Sequence, residues 1–448
     1  MHINPFQASK VSPAKILVGG FALLIVLGTL LLSLPQAVPT GRLPLGDALF
    51  TATSAVCVTG LVVVDTGTQF SRFGQTVIML LIQFGGLGIM TVATIIFTLL
   101  GRKISLRERL VIQEALNQET LHGLVRLVKT VVLLTFAAEA LGALLLATRF
   151  IPIYGWRTGV FYSVFHAVSA FCNAGFDIIG SYRSLTPFAT DPVIVLTIAL
   201  LFIIGGIGFT VWIEFLQRRS IARLSLHAKI VILMTVILLL GGTLIILAVE
   251  ATNPQTFGQF DWGGKLLNAF FMAATPRTAG LNTVPTNLLL SPTIFLLIVL
   301  MFIGASPAST GGGIKTTTFG VLMVTVYSAI RGDEDVLWQQ KRIPGDLIRR
   351  ALTITVVAML LVCLVTFLLL VTEDGSFTFL DYLFEATSAF ATVGLTTGVT
   401  ASLSSWGRLF IIVTMFAGRV GPLTLVFALA RHTRKTSVRY LPERIMIG

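Results

Sequence analysis

Eight apolar segments of the chain are each long enough to cross the hydrocarbon core of a bilayer, which takes about 20 helical residues. A helix satisfies its own backbone hydrogen bonds in lipid, so we predict an all-α membrane protein with eight transmembrane helices. The first segment could also be a signal peptide, but the internal repeat described below requires it as a span. The predicted spans are residues 16–34, 74–100, 127–147, 192–216, 230–249, 292–330, 351–371 and 409–430.

The composition excludes several other classes of protein. Hydrophobic residues make up 55% of the chain and charged residues only 12%, whereas a soluble domain has about 25% charged residues. A soluble fold could not hide so much apolar surface, which excludes a cytosolic enzyme and a disordered chain. Cys57, Cys172 and Cys363 are too few for a disulfide framework and lack metal-ligand spacing. We therefore expect no cofactor in this chain.

The basic residues alternate between the two sides of the predicted membrane. Of the 32 Lys and Arg residues, 22 lie in the N-terminal segment and after the even-numbered spans, and eight lie on the other side. Basic loops stay in the cytoplasm, so we predict a multi-pass protein of the plasma membrane with both termini cytoplasmic. The net charge of +12 is thus a topology signal. It does not indicate nucleic acid, which would need one clustered basic surface.

A short apolar stretch that ends at a glycine recurs four times on the outer side. The copies read FTATSAVCVTG, FHAVSAFCNAG, FFMAATPRTAG and FEATSAFATVG, and they end at Gly60, Gly175, Gly280 and Gly394. These glycines are 115, 105 and 114 residues apart, and each copy lies between two spans. A repeat of this kind carries more weight than the assignment of any one copy as an ordinary loop. We predict four pseudo-symmetric span–pore-loop–span repeats around one central pore, with four re-entrant pore helices.

The predicted repeats divide the whole chain. They are repeat 1, residues 1–100 with a pore loop near 46–61; repeat 2, residues 101–217 with a pore loop near 160–176; repeat 3, residues 218–330 with a pore loop near 264–281; and repeat 4, residues 331–448 with a pore loop near 379–395. Non-helical backbone is tolerated at membrane depth where it lines a watery cavity. Four such loops around one axis would form rings of carbonyl oxygens, which can replace the hydration shell of a cation.

The sixth span is interrupted by a loop, residues 304–318, that contains Gly304 and the consecutive glycines Gly311, Gly312 and Gly313. Glycine in a helix interior destabilises it, so the loop is either an intramembrane obstruction on an ion path or a benign kink. Three consecutive glycines close to Lys315 favour the obstruction. The stretch is not a phosphate-binding loop, because the lysine does not directly follow a glycine and the segment is apolar.

The charged residues within predicted spans include Arg419 and Glu139. A charge at membrane depth is costly and usually faces the interior of the helix bundle, which we expect for Arg419. Glu139 either pairs locally or faces a water-filled crevice, and the sequence leaves its role open.

Several motifs resemble those of one superfamily of potassium transporters. They are CVTGLVVVDTGTQF (57–70), AFCNAGF (170–176), TPRTAGLN (275–282), ATVGLTTG (391–398), LIQFGGLGIMT (81–91), GGIGFTVW (205–212), MFIGASPASTGGGIKTTTF (301–319) and MFAGRVGPLT (415–424). Over nearly its whole length the chain resembles the Trk/Ktr/HKT superfamily. Within it, the chain is most similar to the membrane subunits of Ktr-type potassium uptake systems.

The resemblance implies a selectivity filter in which backbone carbonyls coordinate potassium. In this superfamily, glycine in all four loops accompanies potassium selectivity, and serine in the first loop accompanies sodium, so Gly60 favours potassium. The implied donors are Val58, Thr59, Gly60, Asn173, Ala174, Gly175, Thr278, Ala279, Gly280, Thr392, Val393 and Gly394. The implied gate consists of Gly304, Gly311, Gly312, Gly313, Lys315 and Arg419.

The predicted function is potassium uptake across the plasma membrane, without enzyme activity. The resemblance implies sodium as an activator, a homodimer in membrane lipid, and a cytosolic ring of KtrA-like nucleotide-binding regulatory subunits. One alternative is a sodium-selective or sodium-coupled cation transporter of the same superfamily. A secondary transporter for a small solute would show inverted repeats, and an intramembrane enzyme would need a catalytic constellation at membrane depth.

Overall fold

The computed structural model describes residues 13–39, 41–88 and 124–421, together with residues 91, 443 and 446. Parts of the predicted spans 74–100 and 409–430, and the basic segments that follow them, lie outside the described residues. The helices are α1 (Pro13–Leu32), α2 (Leu45–Val56), α3 (Thr66–Gln69), α4 (Arg72–Leu87), α5 (Leu124–Phe171), α6 (Pro192–Ile207), α7 (Phe209–Arg218), α8 (Leu226–Glu250), α9 (Trp262–Ala274), α10 (Ser291–Phe302), α11 (Thr316–Arg331), α12 (Gly345–Thr372), α13 (Phe379–Ala391), α14 (Val399–Ser402) and α15 (Ser405–Val420).

Four long helices, α1, α5, α8 and α12, correspond to the predicted first, third, fifth and seventh spans, although α1 ends at Leu32, before the predicted end of the first span. In the described part of the chain, they are the four helices long and apolar enough to cross a membrane, and a fifth span results if the bent pair of α6 and α7 is counted. Large apolar side chains project from them, such as Leu23, Leu133, Leu244 and Leu360, each more than 60% exposed. Lipid, rather than water, is the solvent that such a surface requires. The chain is therefore an integral membrane protein that is mostly helical.

A short helix packs against each long one and ends just before one of the four repeated glycines. These helices are α2, α9, α13 and the part of α5 that follows a kink at Gly155. Polar caps begin two of them, since Asp261 accepts a hydrogen bond from a backbone amide of α9, and Thr378 and Asp381 form a capping box at α13. Almost all their C-terminal side chains are buried, so the short helices form the core of the protein.

In three of the predicted repeats, the second helix stops partway along its predicted span. Positive φ angles of 82°, 98° and 92° at Gly88, Gly208 and Gly421 end α4, α6 and α15. Glycine reaches this conformation without strain. The prediction of a continuous span over 192–216 is therefore wrong, because α6 and α7 meet at 90°.

Other glycines of these helices allow close packing on the short helices. A Cβ at Gly85, Gly205 or Gly418 would collide with a backbone carbonyl at the end of a short helix; the carbonyls are those of Val56, Phe171 and Phe390. Each of these carbonyls lies four residues before the repeated glycine. Helices α4, α6 and α15 therefore fix the position of the turns that follow the short helices.

A small β-hairpin joins α11 to α12. Strands β1 (Leu337–Trp338) and β2 (Lys341–Arg342) pair antiparallel, and Arg342 forms an ion pair of 2.9 Å with Asp335. The all-α prediction missed this hairpin, which is too short to show the alternating pattern of a strand.

Candidate functional site

The four repeated glycines lie beside one another in the structure. A Cβ at Gly60 would be 2.8 Å from the Cα of Gly175, and one at Gly175 would be 3.2 Å from the Cα of Gly280. A Cβ at Gly280 would be 3.2 Å from the Cα of Gly394, and one at Gly394 would be 3.0 Å from the Cα of Gly60. The contacts run through the repeats in chain order and return to the first. The four turns therefore form a closed ring.

The backbone conformation is the same in all four turns. Each repeated glycine has a φ between 70° and 93°. The residue two positions earlier also has a positive φ, and these residues are Val58 (56°), Asn173 (58°), Thr278 (73°) and Thr392 (52°). A left-handed conformation costs a non-glycine residue roughly 1–2 kcal/mol. Strain of this kind is retained where the surroundings enforce it, and it concentrates at functional sites.

A backbone carbonyl of the next turn contacts each glycine of the ring. A Cβ at Gly60 would be 2.6 Å from the carbonyl oxygen of Ala174, and one at Gly175 would be 3.1 Å from that of Ala279. The third and fourth glycines face the carbonyls of Val393 and Thr59 in the same way. Any side chain here would displace a carbonyl of the neighbouring turn. Both the available space and the backbone angle therefore require glycine.

Buried hydroxyl groups brace the turns from behind. The Oγ atoms of Ser54 and Ser388 each accept a hydrogen bond of 3.1 Å from the amide of the glycine six residues later. Ser169 donates to the carbonyl of Phe176 at 2.6 Å, and Thr275 donates to that of Leu281 at 2.5 Å. These hydroxyls are not among the functional residues predicted from the sequence. The signal that could have found them is serine at the same position in three of the four repeats.

The loop over residues 304–318 lies against the ring. A Cβ at Gly311 would collide with the hydroxyl of Thr278, and one at Gly312 would collide with that of Thr392. A Cβ at Gly313 would be 3.2 Å from the Cβ of Ala391. The three glycines are therefore what lets the loop approach the left-handed residues of two turns.

Hydrogen bonds fix this loop to the second repeat. The amides of Ser306 and Thr310 donate to the carbonyls of Gly206 and Gly205, at 3.0 and 3.3 Å. The Thr310 hydroxyl donates to Oδ1 of Asn173 at 2.9 Å. Asn173 is predicted from the sequence only as a carbonyl donor, whereas its side chain also joins the ring to the loop.

Two basic side chains hold the loop in place. Nζ of Lys315 donates to the carbonyls of Gly311 and Gly312 at 2.6 and 3.4 Å. The guanidinium of Arg419 donates to the carbonyls of Thr310 and Gly85. Arg419 therefore links the last helix to the loop and to α4, and it faces the bundle interior as its position in the sequence indicates.

Another cation, Arg277, is buried and points away from the ring. Its Nη2 donates to the hydroxyl of Thr235 on α8 at 3.1 Å. Arg277 therefore joins the third turn to α8.

The loops outside the ring carry two carboxylates, of which Asp65 is buried and Asp177 is half-buried. Asp65 accepts hydrogen bonds of 3.0 Å from the amides of Ser181 and Tyr182, and so joins the first repeat to the second. Asp177 accepts one from the amide of Ile179 at 3.0 Å. Burial, with a smaller contribution from the charge of Asp65, raises the pKa of Asp177 to about 6.

A model of one protein family, described as TrkH, cation transport protein, matches residues 17–440. The chain belongs to the TrkH family. The resemblance expected from the motifs is thereby confirmed, as is the assignment to a transporter rather than an enzyme.

Individual relatives of this TrkH-family chain match it over almost their whole length. It is 45% identical to the Ktr system potassium uptake protein B of Bacillus subtilis (strain 168), over 98% of this chain and 97% of the relative. It is 41% identical to the protein of the same name from Vibrio alginolyticus, over 98% and 96%. The crystal structure of the potassium transporter TrkH from Vibrio parahaemolyticus has a TM-score of 0.73 at 17% identity, covering 96% of this chain and 87% of that one. This last likeness shows a shared fold.

Proposed function

We propose that the chain is the membrane subunit of a Ktr-type potassium uptake system and that K⁺ crosses the membrane through the ring of four turns. The closed ring is the observation that carries the proposal. Within each turn, positive φ angles alternate with a negative one. This alternation allows successive carbonyl oxygens to point to one side, where they can replace the water around a dehydrated cation. The names of the two relatives above support potassium as the transported ion.

The carbonyl donors in this proposal are the three residues that end each turn. They are Val58, Thr59 and Gly60; Asn173, Ala174 and Gly175; Thr278, Ala279 and Gly280; and Thr392, Val393 and Gly394. The four span–pore-loop–span repeats then surround one central pore. The C-terminal ends of the short helices lie directly before the turns, and their partial negative charge favours a cation.

The loop that contains Gly304, Gly311, Gly312 and Gly313 is the proposed gate. It lies against two turns of the ring, and Lys315 and Arg419 add positive charge to it. A cation passing within about 4 Å of either charge would meet a repulsion of about 4 kcal/mol at an effective dielectric constant of 20. The loop must therefore move for K⁺ to pass at a useful rate.

The remaining features of the assembly follow from the resemblance. They are a homodimer in the plasma membrane, cytoplasmic termini, a ring of KtrA-like regulatory subunits in the cytosol, and sodium as an activator. The positive-inside distribution of Lys and Arg supports the proposed orientation.

Potassium uptake by cells that lack their own uptake systems tests this function. Cells that produce the chain together with a KtrA-like subunit should take up K⁺ and grow at low external K⁺, and uptake should fall without the subunit. Absence of uptake, with the protein present in the membrane, would overturn the proposal. Uptake of Na⁺ without K⁺ would instead favour the sodium-selective alternative.

A further inference from the structure

We propose that Glu139 is a positioning residue that sets the ion selectivity of the second turn of the ring. The inference rests on the proposed function, because it assigns a role within the same filter. Glu139 lies in the N-terminal third of α5, near the centre of the predicted span over 127–147, and is only 5% exposed. It forms no ion pair with a described residue. A carboxyl group held inside the membrane without a cationic partner is costly, and such residues generally serve function.

Glu139 belongs to a cluster of three polar side chains. Nε2 of Gln83 donates to Oε2 of Glu139 at 3.3 Å. The thiol of Cys172 lies 3.7 Å from Oε1 of Gln83 and 3.8 Å from Oε1 of Glu139, and its single proton is donated to one of them at a time. The three residues come from α4, α5 and the second turn. The carboxyl group therefore joins the first repeat to the second immediately behind the ring.

The cluster acts on the ring through a single peptide bond. Cys172 is fully buried and directly precedes Asn173, whose φ of 58° is strained for a residue other than glycine. A Cβ at Gly86 would be 2.7 Å from Sγ of Cys172, so α4 also confines the thiol from one side. A change at Glu139 is thus transmitted to the first proposed carbonyl donor of the second turn.

The first turn provides an internal control. Cys57 occupies the position of Cys172 in the first repeat and is likewise fully buried. Within the described residues, Cys57 has no side-chain hydrogen bond, and no carboxyl group takes the place of Glu139. Removing the two thiols therefore removes equal volume, but only at Cys172 does it remove a hydrogen bond.

The test measures the ratio of K⁺ to Na⁺ uptake in proteoliposomes containing the whole chain. Glu139→Ala and Cys172→Ala should each lower this ratio by roughly fivefold, as expected when one hydrogen bond of about 1 kcal/mol is lost. The double variant should lower it no further, because both changes break the same cluster. Glu139→Gln keeps a side-chain oxygen that can accept the thiol proton and should restore most of the ratio. Cys57→Ala should leave the ratio unchanged.

A merely structural role predicts a different result. If K⁺ and Na⁺ uptake fall in proportion while the ratio stays constant in Cys172→Ala and Glu139→Ala, the inference is overturned. Cys172→Ala decides the matter if Glu139→Ala does not fold. Gly175→Ser separates the two proposals. If Gly175→Ser changes the ratio of K⁺ to Na⁺ uptake and the Glu139 and Cys172 variants do not, only the inference on Glu139 fails. If none of these variants changes the ratio, the proposed filter itself is refuted.

Discussion

Replacing Gly60 by serine is the most direct perturbation of the ring. The new Cβ would be 2.6 Å from the carbonyl oxygen of Ala174 and 2.8 Å from the Cα of Gly175. Both atoms are backbone, so they cannot move aside without displacing the second turn. In addition, a φ of 92° costs a residue other than glycine about 1–3 kcal/mol. This strain can be relieved by moving a carbonyl oxygen of the ring. If that movement changes the free energy of binding K⁺ relative to Na⁺ by only 1.4 kcal/mol, the preference between the two ions changes about tenfold.

The assay compares initial rates of K⁺ and Na⁺ uptake in proteoliposomes. We expect Gly60→Ser to lower the ratio of the two rates by about tenfold relative to the unchanged chain. Gly46→Ser is the matched control, because this glycine is exposed near the start of the same short helix and a Cβ there would meet no atom within 4 Å. Equal ratios in the two variants, at equal protein amounts, would refute the reasoning.

Three further predictions concern the gate, a contact between repeats, and an outer carboxylate. Deleting Gly311–Gly313 should raise K⁺ flux, because the loop can no longer approach the ring; an equal or lower flux at normal expression contradicts the gate. Asp47 and Arg408 form an ion pair of 2.5 Å between the first and fourth repeats, so Asp47→Asn should destabilise the protein by up to about 1 kcal/mol, measured as a lower Tm, and exchanging the two charges should restore it. Burial raises the pKa of Asp177 in the folded protein from its ordinary value of 3.8 to about 6. The protonated carboxyl group therefore stabilises the fold fully below pH 3.8, and this stabilisation is lost as the pH rises through 6. Asp177→Asn should therefore raise the Tm at pH 8 and not at pH 3.5, and an equal shift at both pH values would contradict this.

The four repeated glycines that the sequence singles out lie side by side in the structure, and the sequence signal for them is local. Gly60, Gly175, Gly280 and Gly394 recur at fixed distances from a phenylalanine and a small residue. The structure adds the reason for the glycine, which is the approach of a neighbouring carbonyl. It also adds the serine hydroxyls behind the turns, whose hydrogen-bonding role is invisible until the chain folds back on itself.

The helix breaks were harder to predict from the sequence. The segment that contains Gly205 and Gly208 is apolar on both sides, so its hydropathy indicates one continuous span. Gly205 packs closely on the end of a short helix, whereas Gly208 has a positive φ and ends α6. Hydropathy reports the affinity of a segment for lipid and does not report the direction of its backbone.

Membrane insertion, the positions of the long spans and the repeat follow from the amino-acid sequence, because each depends on residues close together in the chain. The closure of the ring and the partners of the buried charges follow from the packing of distant segments. Arg419 donates to the carbonyl of a residue 334 positions away, and Glu139 accepts from an amide 56 positions away. No local pattern encodes such pairs, since they form only when four separate repeats pack against one another and exclude water from their polar groups.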